Sequence, residues 1–152
     1  MPRSRLLLCT AYAAIAILAL IATWSQNLSY FRPEEGPFLG FIFATGRFWP
    51  ATLATPASVS ITVDIALFSL AAVAFMLIEA RRLGVRLVWL YVVLGLLVAI
   101  SATFPLFLIA RERRLAARGE AVDDLGLTRG DAIALGVVGA GCVIFALWTL
   151  PR

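Results

Sequence analysis

The sequence has no histidine and no lysine, and it has few charged residues of any kind. All 13 basic residues are arginines, against 9 aspartates and glutamates, and charged residues are 14% of the 152. Hydrophobic residues make up 62% of the chain, whereas soluble domains average about 45–50% apolar and about 25% charged residues. This balance excludes a soluble globular domain and a disordered chain, and it indicates an integral membrane protein.

The missing residue types also exclude several kinds of site. Without histidine the chain lacks the commonest general base and the commonest metal ligand, and a Ser-His-Asp triad is impossible. Cys9 and Cys142 lie in separate apolar runs, and no C-x-x-C motif supports a zinc or dithiol site. The arginines flank apolar runs, which is typical of membrane proteins. We therefore expect no metal, no nucleic-acid partner and no resident cofactor.

Four apolar runs are long enough to cross a membrane. Pro56 is well placed to open the second helix, because its missing N–H would be unpaired there in any case. Thr128 and Asp131 have the spacing of a capping box ahead of the fourth helix. The sequence therefore predicts an all-α integral membrane protein, with one membrane domain over 1–152 and spanning helices at about 6–26, 57–79, 87–112 and 131–150.

The aromatic-rich segment at about 36–52 has a different character. Its apolar stretch is too short to span, and it contains glycines, prolines and a central Arg47. An arginine at the bilayer centre costs about 2.5–3.5 kcal/mol on insertion scales. We predict a helix lying at the membrane interface, with Phe38, Phe41 and Trp49 at headgroup level. The alternative is that these aromatics hold a lipid, a quinone or a carotenoid.

Pro105, near the end of the third run, predicts a kink near Ser101.

With all four helices taken as straight spans, the N-terminal side holds six arginines and the other side seven, and such a difference of one does not set orientation. The first set is Arg3, Arg5, Arg81, Arg82, Arg86 and Arg152; the second is Arg32, Arg47, Arg111, Arg113, Arg114, Arg118 and Arg129. Because the first helix often dominates, we expect a cytoplasmic N-terminus.

Asp64 is the most informative single residue. It lies about 10 Å inside the second run, where a carboxylate costs a few kcal/mol unless it is paired, protonated or facing water. Ser60, four residues earlier on the same helical face, is its candidate hydrogen-bond partner. One interpretation is structural, a carboxyl bonded to a neighbouring group. The other is functional, in proton transfer, ligand binding or catalysis.

Two charged segments border the third run. Each is interpreted as a solvated turn or as a docking surface for a partner protein or an anionic lipid headgroup. The candidate residues are Glu79, Arg81 and Arg82 before the run, and Arg111, Arg113 and Arg114 after it.

Small residues recur along the fourth helix at intervals of four: Ala132, Gly136 and Ala140. Small residues at this spacing allow two helix backbones to approach closely in lipid. We therefore predict that this face packs against another helix, in this chain or in a partner.

The middle of the chain resembles a known family. Thr55-Pro-Ala-Ser58, Asp64, Ile78-Glu-Ala-Arg-Arg-Leu-Gly84 and Phe104-Pro-Leu-Phe-Leu108 with Arg111-Glu-Arg113 are similar, in order and spacing, to the bacterial membrane family called domain of unknown function 2834. The resemblance covers roughly residues 5 to 114. It implies three helices with an amphipathic stretch after the first, in a bacterial inner membrane, and it implies no reaction, substrate or cofactor. The fourth helix is an addition to that pattern.

Three functions fit these features. The leading hypothesis is a non-catalytic accessory or scaffold subunit that packs against a larger membrane protein complex and contacts membrane lipids. The second is a small oligomeric transporter with Asp64 as the coupling carboxylate. The third is a quinone- or carotenoid-binding protein or a cyclase-like enzyme, although such chemistry usually needs two converging acids and only one lies at membrane depth.

Overall fold

The computed structural model describes residues 3–119 and 126–150, and every regular element within these ranges is a helix. The helices are α1 (Arg3–Asn27), α2 (Pro37–Thr52), α3 (Pro56–Leu83), α4 (Val88–Leu94), α5 (Ile100–Ala117) and α6 (Arg129–Trp148). Short 3₁₀ turns occupy Leu28–Tyr30 and Pro33–Glu35, and a π turn occupies Gly95–Ala99.

Four helical stretches in the described ranges are long and apolar enough to cross a membrane: Arg3–Tyr30, Pro56–Leu83, Val88–Ala117 and Arg129–Trp148. The predicted class, an all-α multi-pass membrane protein, is therefore confirmed. Between the first two stretches lies α2, which at 16 residues is shorter than any of them.

Local sequence explains where α3 and α6 begin. Thr55 accepts a hydrogen bond from the Ser58 amide, and the Ser58 hydroxyl accepts one from the Thr55 amide, ahead of Pro56. Thr128 and Asp131 make the same reciprocal pair at the start of α6, which confirms the predicted capping box. Each box satisfies amide groups that a helix start leaves without a partner.

The third apolar run folds back on itself. Tyr91 of α4 packs edge-to-face on Phe107 of α5 with ring centroids 5.9 Å apart, whereas a straight helix would separate these residues by about 24 Å. Arg118, just after α5, donates a hydrogen bond of 3.0 Å to the carbonyl of Arg82 near the end of α3. Both ends of Val88–Ala117 therefore lie at the same end of the bundle, where α3 ends.

The reversal takes place at the π turn. Ala99 is extended (φ −171°, ψ 121°), which interrupts the helix between α4 and α5. A Cβ on Gly95 would lie 2.8 Å from both Thr103 Oγ1 and Ile100 Cδ1, so any other residue here would require these two side chains to shift. The Thr103 hydroxyl donates to the Ala99 carbonyl at 3.3 Å and so satisfies a backbone acceptor at the turn.

This arrangement differs from the straight helix predicted at about 87–112, and from the kink predicted near Ser101. The bend begins earlier, at Gly95, and it reverses the chain direction instead of tilting it. Pro105 lies in the second turn of α5 and is buried. Its missing N–H leaves the Ser101 carbonyl without its intrahelical partner, but the interruption itself is at Ala99.

The hairpin of α4 and α5 forms the centre of the fold. Its α5 arm packs along α1, and α3 packs on both arms. Phe107 and Met76 are completely buried, and the Phe107 ring makes edge-to-face contacts with Phe75 as well as Tyr91. The buried cluster extends towards the end of α3 through Ala80, Leu83, Val85, Val88, Val92 and Leu115.

α6 stands apart from this core. None of its residues is buried, and it contacts α1. Just beyond its end, the Thr149 carbonyl accepts a hydrogen bond from the side-chain amide of Gln26. Because Gln26 lies near the end of α1, α6 ends at the side of the bundle opposite Arg3.

The hairpin predicts where the ends of this stretch are accessible. In a chain with Cys9 and Cys142 changed to serine, Arg86→Cys and Ala117→Cys should both react with a membrane-impermeant thiol reagent from the same side. Ser29→Cys, an exposed position just beyond α1, should react only from the opposite side. Labelling of positions 86 and 117 from opposite sides would show a straight crossing instead of a hairpin.

Candidate functional site

A chain of ion pairs joins three helices at the end of the bundle where α1 begins. Arg5 Nη1 donates to the Glu112 carbonyl at 2.9 Å and lies 3.6 Å from Glu112 Oε2. Arg111 bridges the two acids, with Nη1 2.7 Å from Glu112 Oε1 and Nε 2.8 Å from Glu79 Oε2. Arg82 Nη2 lies 2.9 Å from the same oxygen of Glu79. We call Arg5, Glu79, Arg82, Arg111 and Glu112 the ionic network.

The network is most deeply buried where α1 meets α5. Arg5 is 1% exposed and Glu112 is 5% exposed, whereas the side chain of Arg82 at the other end of the network is 56% exposed. In a buried ion pair the attraction mainly offsets the cost of removing both charges from water. The network connects α1, α3 and α5 at this end of the bundle, and each of its two acids is paired with two arginines.

The network absorbs half of the predicted charged residues. Glu79, Arg82 and Arg111 belong to it. Arg81, Arg113 and Arg114 are exposed, and none forms an ion pair with another residue in the ranges 3–119 and 126–150. The six residues therefore form two groups, one in the ionic network and one on the surface without an ion pair to the described residues.

Sequence reasoning missed the two most deeply buried members, Arg5 and Glu112. Arg5 resembled an ordinary basic flank of the first helix. A signal was present, however, because each acid stands among arginines, in Glu79-Ala-Arg-Arg82 and in Arg111-Glu-Arg113. A carboxylate can accept short, charge-assisted hydrogen bonds from arginines that the fold brings close to it.

Asp64 faces away from the bundle. It lies on α3 eight residues after Pro56 and is exposed, as is Ser60. The structure forms no hydrogen bond between these two side chains, so the suggested pairing is not made. Among the described residues no donor lies within hydrogen-bonding distance of the Asp64 carboxylate, and it enters no ion pair.

The small-residue face of α6 is also open. Ala132, Gly136 and Ala140 are all exposed, and a Cβ built on Gly136 meets nothing within 4 Å. Gly139 and Gly141 have the same open surroundings. No helix in the described part of this chain packs on that face.

The aromatic segment is a helix whose arginine is paired. Arg47 of α2 makes a bidentate ion pair with Glu35, at 2.8 and 2.7 Å, and its Nε donates to the Tyr30 carbonyl at 3.0 Å. The Tyr30 ring packs edge-to-face on Phe48 at 5.8 Å. These contacts fold α2 back against the end of α1.

The outward aromatics of α2 do not surround a cavity. Phe38, Phe41 and Trp49 are 77%, 43% and 53% exposed. Phe48, which meets both Tyr30 and Trp49 edge-to-face, connects this surface to the rest of the chain.

No group of three or more His, Cys, Asp or Glu side chains that could hold a metal ion occurs within residues 3–119 and 126–150.

Comparison with known proteins adds one finding. A family model described as "Protein of unknown function DUF2834" matches residues 11–113. The matched range runs from α1 through most of α5, so it includes four of the five members of the ionic network and excludes α6. No curated protein and no solved structure matches the chain.

The burial of the Arg5–Glu112 pair predicts a large effect on stability. Glu112→Gln keeps the size of the side chain but removes the carboxylate charge beside the buried Arg5 guanidinium, which should lower the free energy of unfolding by about 3–5 kcal/mol. Arg82→Gln removes a mostly exposed partner and should cost at most about 1 kcal/mol. Denaturation in detergent micelles measures the free energy of unfolding of both variants. A loss from Glu112→Gln as small as that from Arg82→Gln would mean that the buried pair is not a structural requirement.

The Arg47–Glu35 pair predicts a pH dependence. Hydrogen bonds from Arg47 hold the pKa of Glu35 below its ordinary value of 4.5. A carboxyl whose pKa is lowered on folding stabilises the folded chain above its ordinary pKa, and this stabilisation is lost as pH falls through the lowered value. Wild type should therefore unfold at a higher temperature than Glu35→Gln at neutral pH, and the difference should vanish in acid.

Glu34→Gln is the matched control for that experiment. Glu34 is the adjacent exposed carboxylate, and no ion pair of Glu34 with another described residue is present. Its variant should follow wild type across the pH range. A pH-independent difference between wild type and Glu35→Gln would contradict the assignment of the effect to the Glu35 carboxylate.

Proposed function

The chain belongs to the DUF2834 family, with α6 added beyond the matched range, and from this premise we propose that it is a non-catalytic accessory or scaffold subunit. Its partner would be a larger complex of membrane proteins. Its outer surface, and not an internal site, would carry the function.

The observation that carries this proposal is the unpartnered surface of α6. The helix has a capping box at its start, is 20 residues long and buries none of them. Lipid tails are as apolar as its side chains, so burial of apolar surface does little to drive the association of two helices in a membrane. Close packing of the two backbones at small residues does drive it. The open row of Ala132, Gly136 and Ala140 therefore supports a contact with a helix of another protein.

Asp64 supports the same proposal from α3. An outward carboxylate at about 12 Å from the start of a spanning helix is costly in lipid. A donor from a neighbouring subunit would remove that cost. The acids inside the bundle, Glu79 and Glu112, are engaged by arginines and are not available for acid–base chemistry.

The alternative functions have less support. An oligomeric transporter would use Asp64 as its coupling carboxylate, but no second ionisable group of the described chain pairs with it. A cyclase-like enzyme needs two converging acids, and Asp64 stands alone. A quinone or carotenoid site at α2 would rest on Phe38, Phe41 and Trp49, which point outwards without enclosing a cavity.

We also propose a bacterial inner-membrane location with a cytoplasmic N-terminus. The hairpin supports this orientation because it places the arginines after α5 on the same side as the start of α1. Ten arginines then lie at that end and two at the other, a bias that the positive-inside rule associates with the cytoplasm. The ten are Arg3, Arg5, Arg81, Arg82, Arg86, Arg111, Arg113, Arg114, Arg118 and Arg129, and the two are Arg32 and Arg47. Arg152 lies outside the described residues.

Purification from native membranes in mild detergent tests the accessory role. Wild type should retain a fixed ratio of larger membrane proteins, identified by mass spectrometry. Gly136→Leu places a large side chain on the proposed contact, and overpacking of about 1–3 kcal/mol should reduce the recovered partner roughly tenfold. Ala140→Leu should act in the same way.

Val138→Leu is the matched control, because Val138 is also exposed on α6 but lies on a different face from Gly136. It should insert and retain the partner as wild type does. Recovery of wild type alone, or as a homodimer with a quinone or carotenoid, would contradict the accessory role. Equal recovery from Gly136→Leu and Val138→Leu would show that the small-residue face is not the contact.

A further inference from the structure

A groove lies at the same end of the bundle as the ionic network but outside it. It has a volume of about 870 Å³ and is bordered by the end of α3, the turn that follows, the start of α4 and the end of α5. Its charged lining residues are Arg81, Arg86 and Arg114, and Trp89 and Leu90 are among the apolar ones. The groove exists because the α4–α5 hairpin brings Arg114 next to residues 81–90.

Among the described residues that line it, the groove has three arginines and no carboxylate. Glu79 and Glu112, the nearest acids in sequence, are held by Arg82, Arg111 and Arg5. The three arginines of the groove are exposed, and none makes an ion pair elsewhere in the described ranges. Like charges gathered around an opening favour an anion, and arginine matches a phosphate oxygen pair with two donors.

An apolar surface continues from this groove. A second groove of about 590 Å³ runs between α4 and α5, and its apolar lining includes Tyr91, Leu106 and Ile109. Arg114 lines both grooves. Trp89, beside the arginines, is the kind of residue that collects at the headgroup level of a membrane. A cationic pocket that opens onto an apolar groove at this level matches an amphiphilic anion better than a soluble one.

We propose that these grooves together bind one acidic phospholipid, with its phosphate at Arg81, Arg86 and Arg114 and an acyl chain along Tyr91, Leu106 and Ile109. The shared chemistry is a phosphate ester, and the source is the membrane. The site is separate from α6 and from Asp64, so it does not depend on the proposed accessory role. It gives a ligand to Arg81 and Arg114, two of the surface arginines that lie outside the ionic network.

Trp89 provides a local probe. In a variant with Trp24, Trp49 and Trp148 changed to phenylalanine, Trp89 is the only tryptophan. The protein is reconstituted in phosphatidylcholine vesicles with a small fraction of phosphatidylglycerol brominated on its acyl chains. Bromine quenches tryptophan on contact, so we expect stronger quenching than with the same fraction of brominated phosphatidylcholine.

Charge-matched variants identify the residues. The double variant Arg86→Gln with Arg114→Gln should weaken the preference for phosphatidylglycerol roughly thirtyfold. The two arginines are expected to contribute about equally to the attraction of an anionic headgroup. Arg3→Gln with Arg129→Gln removes the same charge from exposed positions outside both grooves and should leave the preference unchanged. Equal losses in the two pairs would overturn the site in favour of general surface charge.

A third arm distinguishes the lipid from a soluble anion. Millimolar inorganic phosphate, added at constant ionic strength, should leave the quenching by brominated phosphatidylglycerol in place. Displacement of the lipid by inorganic phosphate would overturn the lipid assignment and indicate a site for a soluble phosphate. Equal quenching by the two brominated lipids would overturn the site altogether.

Discussion

The buried guanidinium of Arg5 is the constraint on which the arrangement of the bundle depends. An arginine with 1% exposure at the start of a membrane helix needs a countercharge and an acceptor within reach, because an isolated buried charge is too costly. Glu112 supplies both, through its carboxylate and its own carbonyl. Glu112 is available there only because the α4–α5 hairpin returns α5 to the end where α1 begins.

The hairpin and the network support each other energetically. Irregular backbone inside a membrane is tolerated where protein covers it or where its polar groups are satisfied. Here the turn at Gly95–Ala99 is closed by the Thr103 hydroxyl, while Arg111 and Arg118 tie the α5 arm to the end of α3. The hairpin is therefore held by ion pairs at one end of the bundle and by apolar packing around Phe107 within it.

Local features of the fold could be predicted from the sequence, whereas the reversal at Gly95 has no local signal. The starts at Pro56 and Thr128 follow from backbone groups that need partners within a few residues. A hairpin within an apolar run leaves no such mark, since both arms and a straight span have the same hydrophobic composition. The missed indication was the near-equal arginine count of the straight topology, which the positive-inside rule makes improbable; a reversal between Leu87 and Arg111 removes it.

The candidate site was predicted in its residue types but not in its grouping. Glu79, Arg81, Arg82, Arg111, Arg113 and Arg114 were singled out together, because spacing along a chain does not reveal which arginine meets which carboxylate. The fold separates the arginines that are paired in the ionic network from those outside it. Both acids of the network are paired with arginines within the bundle. The polar groups left over, Asp64 on α3 and the arginines around Trp89, all face outwards. The outward groups, and not the paired acids inside the bundle, are therefore placed to contact lipid or a neighbouring helix, which is why both proposals rest on the outer surface.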